Sequence, residues 1–313
     1  MATSSGRHNG GRHNGGRYSN AHYFPLRGVV EGFYGTFYTA AQRNELIRFL
    51  GQQGFNLYVY GPKNDRSHRA RWRQPYPAAV MRRFAETIAL AQAVGVSFCY
   101  TISPAETIRF TDEADLASLT ARLRAFYEMG VRAFGLLFDD IVPVLRHPAD
   151  RVRFATPAHA HAALANRVYA WLRQLDPACT LICCPVEYAG TAPFAEGLHV
   201  LGEVLHPAID LFYTGPATCA ATITTADVAA FAAAAGREPV LWDNYPVNDL
   251  AMAPKLHLGP LRGREATLYT ATRGYVANLM LQPAASRVPL LTVAAYLAAP
   301  LFHDLQRPRR LMT

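Results

Sequence analysis

The sequence predicts an α/β protein, a single (β/α)8 TIM barrel behind a disordered N-terminal tail, and three observations carry that expectation. From about residue 27, short apolar runs alternate with longer amphipathic stretches, the pattern of repeated β-α units on a parallel sheet. There are eight such runs, the number that closes a barrel of this kind. No linker rich in glycine, serine or proline divides residues 27–300. A chain of 313 residues can form one barrel or two ordinary domains, so a single domain is the economical reading.

The first run, near 27–33, is followed by apolar residues at three-to-four-residue spacing over 40–53, and the second, 55–60, by the same spacing over 78–94. The pairs 96–102 with 113–129 and 131–138 with 158–175 repeat the unit. In 131–138, leucine and phenylalanine alternate with small residues from Val131, as in a strand buried on both faces. Strands at 179–184 and 209–214 precede helices at 194–206 and 225–235. The strand at 239–242 precedes a weaker segment, 250–272, where Leu250, Leu256, Leu258 and Leu268 lie among glycines and prolines; an irregular or short helix is expected there. Strand 274–278 and helix 289–299 close the series. The expected bounds are 1–24 for the tail, 25–302 for the barrel and 303–313 for a C-terminal tail.

Half of the residues are hydrophobic, 17% are charged, and no apolar stretch approaches the roughly 20 residues needed to cross a bilayer, so a soluble protein without a membrane partner is expected. The formal charge of +8 comes mostly from arginines spread along the chain, Lys63 and Lys255 being the two lysines. That leaves a weak attraction to anionic partners and no specific nucleic-acid binding. Cys99, Cys179, Cys183, Cys184 and Cys219 include no CxxC pair, and an odd count without framework spacing points to a reducing, cytoplasmic compartment. The tail repeats Gly-Arg-His-Asn-Gly-Gly from Gly6 and from Gly11, has no apolar signal core, and reads as solvated rather than as a metal site at His8 and His13. His159 and His161 stand two apart on a predicted helix, on different faces, so no metal is expected there.

The most informative residues are Asp139 and Asp140, which end the apolar run Leu136-Leu137-Phe138. In parallel sheets ligands sit at the carboxyl ends of strands, which is where this pair stands. Two aspartates alone also describe a turn or a helix N-cap. Context favours a site, because polar groups gather at other strand ends: Glu31-Gly32-Phe33-Tyr34-Gly35, Gly61-Pro62-Lys63-Asn64-Asp65, Glu187-Tyr188, Trp242-Asp243-Asn244 and Asn278. Neighbouring strand residues point to opposite faces, so two adjacent acids are expected to meet different environments and to take two roles.

These motifs, together with His68-Arg69, Trp72-Arg73, Ile102-Ser103-Pro104, Cys184-Pro185-Val186-Glu187-Tyr188, Tyr213-Thr214-Gly215-Pro216, Asn248-Asp249 and Leu258-Gly259-Pro260, resemble in content and order the catalytic domain of glycoside hydrolase family 84. That family comprises the O-GlcNAcases and related β-N-acetylglucosaminidases. The resemblance covers about residues 27–300 and implies a (β/α)8 barrel without metal or organic cofactor. It implies a retaining hydrolase of terminal β-linked N-acetylglucosamine on a protein, glycan or glycoside. An ordinary retaining pair of carboxylates stands about 5 Å apart across the sugar, which suits an Asp-Asp dipeptide poorly. The resemblance implies instead that the sugar's 2-acetamido oxygen attacks the anomeric carbon to form an oxazoline.

In that scheme Asp139 orients the acetamide and Asp140 is the general acid and then the base, its pKa raised by burial or by the neighbouring charge. The resemblance further implies that the Gly32 carbonyl, Lys63 and Asn278 hold the sugar and that Asp249 accepts from its outer hydroxyls. Asn244 and Tyr188 contact the acetamide, Trp242 and Tyr213 wall the pocket around its methyl group, and His68 and Arg69 brace a loop. Departures occur at Thr36-Phe37-Tyr38 after Gly35, at Asn64 where an aspartate is usual, and at Ala105 after Ser103-Pro104; none removes an acid. The bacterial accessory domain and the animal helical stalk have no counterpart in the 313 residues, so a homodimer completing the cleft from a second chain is one expected arrangement. The alternatives are a hyaluronidase-type or other β-hexosaminidase acting on glycans, and a catalytically silent GlcNAc-binding barrel. An acetyl transferase would need a phosphate-cradling glycine loop, which is not present in the sequence.

Overall fold

A computed structural model describes residues 23–303; the rest of the predicted tails, with His8 and His13, lies outside the described residues. Eight parallel strands, β1 (Leu26–Glu31), β2 (Leu57–Tyr60), β3 (Ser97–Ile102), β4 (Ala133–Leu137), β5 (Thr180–Cys184), β6 (Asp210–Tyr213), β7 (Val240–Asp243) and β8 (Gly274–Asn278), close in sequence order, β8 pairing with β1. Around them lie α1 (Ala40–Gln52), α2 (Ala78–Ala93), α3 (Glu113–Glu128), α4 (Pro148–Arg153), α5 (Pro157–Leu175), α6 (Glu196–Val204), α7 (Thr225–Ala235), α8 (Pro283–Ala298) and α9 (Pro300–His303). None of the described helices is long and apolar enough to cross a membrane.

Four of the helices begin where a side chain supplies an acceptor for their free N–H groups. Thr39 with Gln42 and Thr224 with Asp227 form capping boxes, and Asp112 and Thr156 cap α3 and α5. The six-residue α4 is too short to show a period and was not expected; buried Asp150 anchors it by accepting from the Thr111 N–H at 2.9 Å and the Phe110 N–H at 3.1 Å. α8 begins at Pro283 rather than at 289, because Pro283 occupies the first turn, where its missing N–H is harmless, and Pro289 is carried inside the helix and buried. The 250–272 segment is irregular, with two single turns of 3₁₀ helix at Leu250–Met252 and Leu268–Thr270.

Alternation along each strand sorts two cores. Val30, Val59, Cys99, Leu137, Ile182, Phe212, Val240 and Val276 fill the barrel lumen. The larger cluster, between strands and helices, is rich in aromatic rings. Phe24, assigned to the tail from sequence, is fully buried against the Tyr275 and Tyr296 rings, so packing starts ahead of β1.

On α5, His159 Nδ1 bonds the Thr156 hydroxyl at 2.9 Å, while His161 is buried and stacks on Phe138 with centroids 4.3 Å apart. Burial pulls the His161 imidazole down to about 4. The unfolded chain takes up this proton near pH 6.5 and the native chain near 4, so stability falls as pH drops through that window, by about 1.4 kcal/mol per pH unit. His161→Phe keeps a ring on Phe138 and is expected to flatten that part of the slope relative to wild type. Urea unfolding of both proteins at several pH values between 7 and 4 measures it, and parallel slopes would contradict the assignment.

Candidate active site

The carboxyl ends of the strands surround a cavity of about 240 Å³. Asp139 follows Leu137 in phase and turns inward, while Phe138 points out onto His161. Asp140 would point outward in a continuing strand, but β4 ends at Leu137 and Asp140 has φ of +56°, in the left-handed region that Asp tolerates better than most residues. Both carboxylates therefore face the cavity, which corrects the expectation of opposite faces; their environments do differ.

Asp139 is 5% exposed, and its Oδ2 is ion-paired with Lys63 Nζ. Its Oδ1 is buried and has no hydrogen-bond partner among the described residues, so one acceptor of this carboxylate is left unpaired. Asp140 is the more exposed of the two: Tyr34 Oη donates to its Oδ2 at 2.9 Å, Tyr188 Oη donates to its Oδ1 at 3.0 Å, and Lys63 Nζ lies 3.4 Å from Oδ2. Burial pushes the Asp140 carboxyl up, but the Lys63 charge and the two phenols outweigh it and hold the group below the usual carboxylate range. The expected raised pKa is thus not found, because an ammonium stands between the two acids. Burial lowers Lys63, and the two carboxylates more than reverse this and hold it well above its ordinary value. For Tyr188, burial and the Asp140 charge push the phenol up to about 12.

The opposite wall is a chain of amides. Asn278 Oδ1 accepts from the Gly32 N–H at 3.2 Å, Asn278 Nδ2 donates to Asn244 Oδ1 at 2.8 Å, and Trp242 Nε1 donates to the same oxygen at 3.0 Å. Asn244 Nδ2 donates to the Thr218 carbonyl at 2.6 Å. Gly32 is required because a β-carbon there would lie 2.8 Å from Trp242 Cη2.

The rim is tied loop to loop. The Tyr34 N–H donates to Asp249 Oδ2 at 2.7 Å, the Gly35 N–H to Asn64 Oδ1 at 3.1 Å, and the Tyr38 N–H to buried Glu31 Oε1 at 2.9 Å. The departure at Asn64 thus still supplies an acceptor to the neighbouring loop. His68 Nε2 bonds Thr101 Oγ1 at 2.9 Å, while Arg69 reaches the Tyr34 hydroxyl at 3.5 Å.

Nine of the ten expected site residues line this one cavity: Gly32, Lys63, Asp139, Asp140, Tyr188, Trp242, Asn244, Asp249 and Asn278. Tyr213 does not. It stacks on Phe231 of α7, with centroids 4.3 Å apart, and its hydroxyl donates to the Gly190 carbonyl at 2.8 Å. Phe212 is the inward residue of β6, so two-residue phasing selects Thr214, which does line the cavity. Tyr34, Cys184 and Thr218 also line it without having been assigned a place. Phasing with Ile182 points to Cys184, and the same count from Val30 through Gly32 points to Tyr34 rather than Phe33.

An adjacent acid pair at the end of a barrel strand, in a cavity ringed by polar strand ends, defines the class: a (β/α)8 barrel with an acidic site at the carboxyl end of its strands. Comparison gives the family. The chain belongs to the beta-N-acetylglucosaminidase family, whose model matches residues 27–309. It is 34% identical over 276 residues to the Rattus norvegicus protein named Protein O-GlcNAcase, covering 87% of this chain and 30% of that protein, and equally to the Mus musculus protein of that name. Among solved structures it is similar to an O-GlcNAc hydrolase mutant from Thermobaculum terrenum, with a TM-score of 0.88 and 37% identity over 90% of this chain and 61% of that one. The chain therefore spans less than a third of the length of these mammalian relatives.

Proposed function

We propose that this protein is a retaining β-N-acetylglucosaminidase that removes terminal β-linked N-acetylglucosamine, from serine or threonine of proteins, by substrate-assisted catalysis. The observation that carries the reading is the shared cavity of the two acids, one buried with an open acceptor and one at the mouth. Asp139 Oδ1 suits the N–H of a 2-acetamido group, and the Asp139 charge stabilises that group as its oxygen closes on the anomeric carbon. The Asn244 amide and the Trp242 indole flank the same region and would hold the acetamide, with Tyr188 near its oxygen. Lys63, Asp249, Asn278 and the Gly32 backbone would take the ring hydroxyls.

Asp140 would protonate the leaving oxygen and then deprotonate the attacking water. Beside Lys63 and the two phenols it is set up as the base. A neutral sugar in the cavity removes water from this carboxylate and competes for the Lys63 ammonium, and both effects raise its pKa toward what an acid requires. The names of the relatives support a glycosylated protein as substrate. Four buried free cysteines, Cys99, Cys179, Cys183 and Cys184, are consistent with a reducing compartment such as the cytoplasm.

The test is fluorophore release from 4-methylumbelliferyl N-acetyl-β-glucosaminide, with a thiazoline mimic of the oxazoline as inhibitor. Turnover blocked by the thiazoline supports the reading. Turnover indifferent to it would overturn the substrate-assisted mechanism, and thiazoline binding without turnover would favour a silent sugar-binding barrel.

A further inference from the structure

A second cavity, of about 600 Å³, lies beside the first and shares Cys219, Asn244 and Met252 with it. It is built from the loop after β6 and the irregular connection between β7 and β8. We propose that this cavity is the aglycone groove and that it receives an extended peptide, with an apolar side chain against Leu256 and Leu258 and an acidic one near Arg262. The proposal rests on the hydrolase reading above, since it concerns what the sugar is attached to.

The path between the two cavities follows from the contacts of one loop. The leaving oxygen must meet Asp140, whose Oδ1 is bonded to Tyr188 Oη at 3.0 Å. Thr218 reaches that same Tyr188 hydroxyl, and its carbonyl is held by Asn244 Nδ2 at 2.6 Å. The next residue, Cys219, is exposed and borders both cavities, so a chain leaving the acid crosses Thr218 and Cys219 directly into the groove.

The groove's wall is rigid. Arg264, buried and paired with Asp243 at 2.6 Å, donates to the carbonyls of Ala220 at 3.1 Å and Ala221 at 3.0 Å, fastening one bank to the barrel. On the other bank His257 Nδ1 bonds the Val247 carbonyl at 2.8 Å and its ring stacks with Tyr245.

The chemistry of the lining selects a peptide over a glycan. A bound sugar needs a dense set of polar partners, but this lining is dominated by apolar side chains, among them Ala221, Met252, Leu256 and Leu258, and the Tyr245 hydroxyl already donates to the Gly259 carbonyl. Leu256 and Leu258 are 52% and 46% exposed, side by side on one segment, as at a surface that is covered by a partner. Arg262 is exposed and forms no ion pair among the described residues, leaving one positive charge at the edge of an apolar trough.

The experiment compares kcat/KM for two peptides carrying GlcNAc on serine, identical except for one flanking residue that is aspartate or lysine, with kcat/KM for the 4-methylumbelliferyl glycoside. In Arg262→Glu the ratio of aspartate-peptide to aryl-glycoside kcat/KM is expected to fall roughly tenfold, and the preference between the two peptides to reverse. In Leu258→Ser the ratio is expected to fall roughly tenfold for both peptides. Ratios unchanged in both variants would overturn the groove, as would hydrolysis of the aryl glycoside but of neither peptide by wild type. Hydrolysis of nothing at all by wild type would instead overturn the hydrolase reading on which the groove depends.

Discussion

Asp140→Asn is expected to lower kcat/KM on a serine-linked substrate by roughly 10²–10⁴-fold and to do far less harm on an activated aryl glycoside. A phenolate leaving group needs little protonation, whereas a serine alkoxide needs a proton almost in full. Asparagine preserves the size of the side chain and can still accept from Tyr34 or Tyr188, so the loss reports the missing proton rather than a collapsed rim. Equal losses on the two substrates would sink the general-acid role. The same carboxyl predicts a pH signature. The free enzyme holds Asp140 below the usual range through Lys63 and two phenols, and an uncharged ligand weakens that hold. Activity needs the protonated form, so the alkaline limb of kcat, which reports the complex, is expected at higher pH than the alkaline limb of kcat/KM, which reports the free enzyme.

Lys63→Met is expected to destabilise the fold by about 3–5 kcal/mol near neutral pH and to lower activity with it, because it leaves Asp139 buried beside Asp140 with no counter-charge. The loss is expected to shrink as pH falls, since protonating either carboxyl removes an uncompensated charge. Urea unfolding of wild type and variant at pH 7 and pH 5 checks both the size and the sign. A variant as stable as wild type at pH 7 would show that the lysine is not what holds the two acids together.

The barrel was legible in the sequence because the run near Val131–Phe138 and its counterparts obey two simple periods, that of a strand and that of a helix, in regular alternation. Cavity-lining residues at strand ends were legible for the same reason. Asp139, Trp242 and Asn278 extend the inward phase of their strands, and Tyr213 was misplaced where that phase was not counted from Phe212. What could not be read are the relations between distant parts of the chain. The position of Lys63 between Asp139 and Asp140 joins residues more than seventy apart, and it reverses the pKa direction that adjacency alone suggests. The left-handed turn at Asp140 is likewise invisible, since aspartate also accepts ordinary conformations. The second groove lies in the segment where periodicity fails, because residues 250–272 are held by bonds to backbone carbonyls, those of His257 and Arg264 among them, rather than by a repeating apolar face.

The hydrogen bonds that lash one rim loop to the next also partition how this chain can change by descent. A substitution or insertion in the loops carrying Tyr34, Asn64 or Asp249 is felt by its neighbours, because each gives up or receives a bond across the gap. Those segments are expected to vary little among relatives that keep the same sugar. The segment after Asp140, where Val142 and Val144 stand 65% and 50% exposed, and the stretch bearing Leu256 and Leu258 lie outside these two cross-ties. New surfaces can be drafted there without breaking either tie, so a lineage can change what surrounds the cavity while the cavity itself stays unaltered.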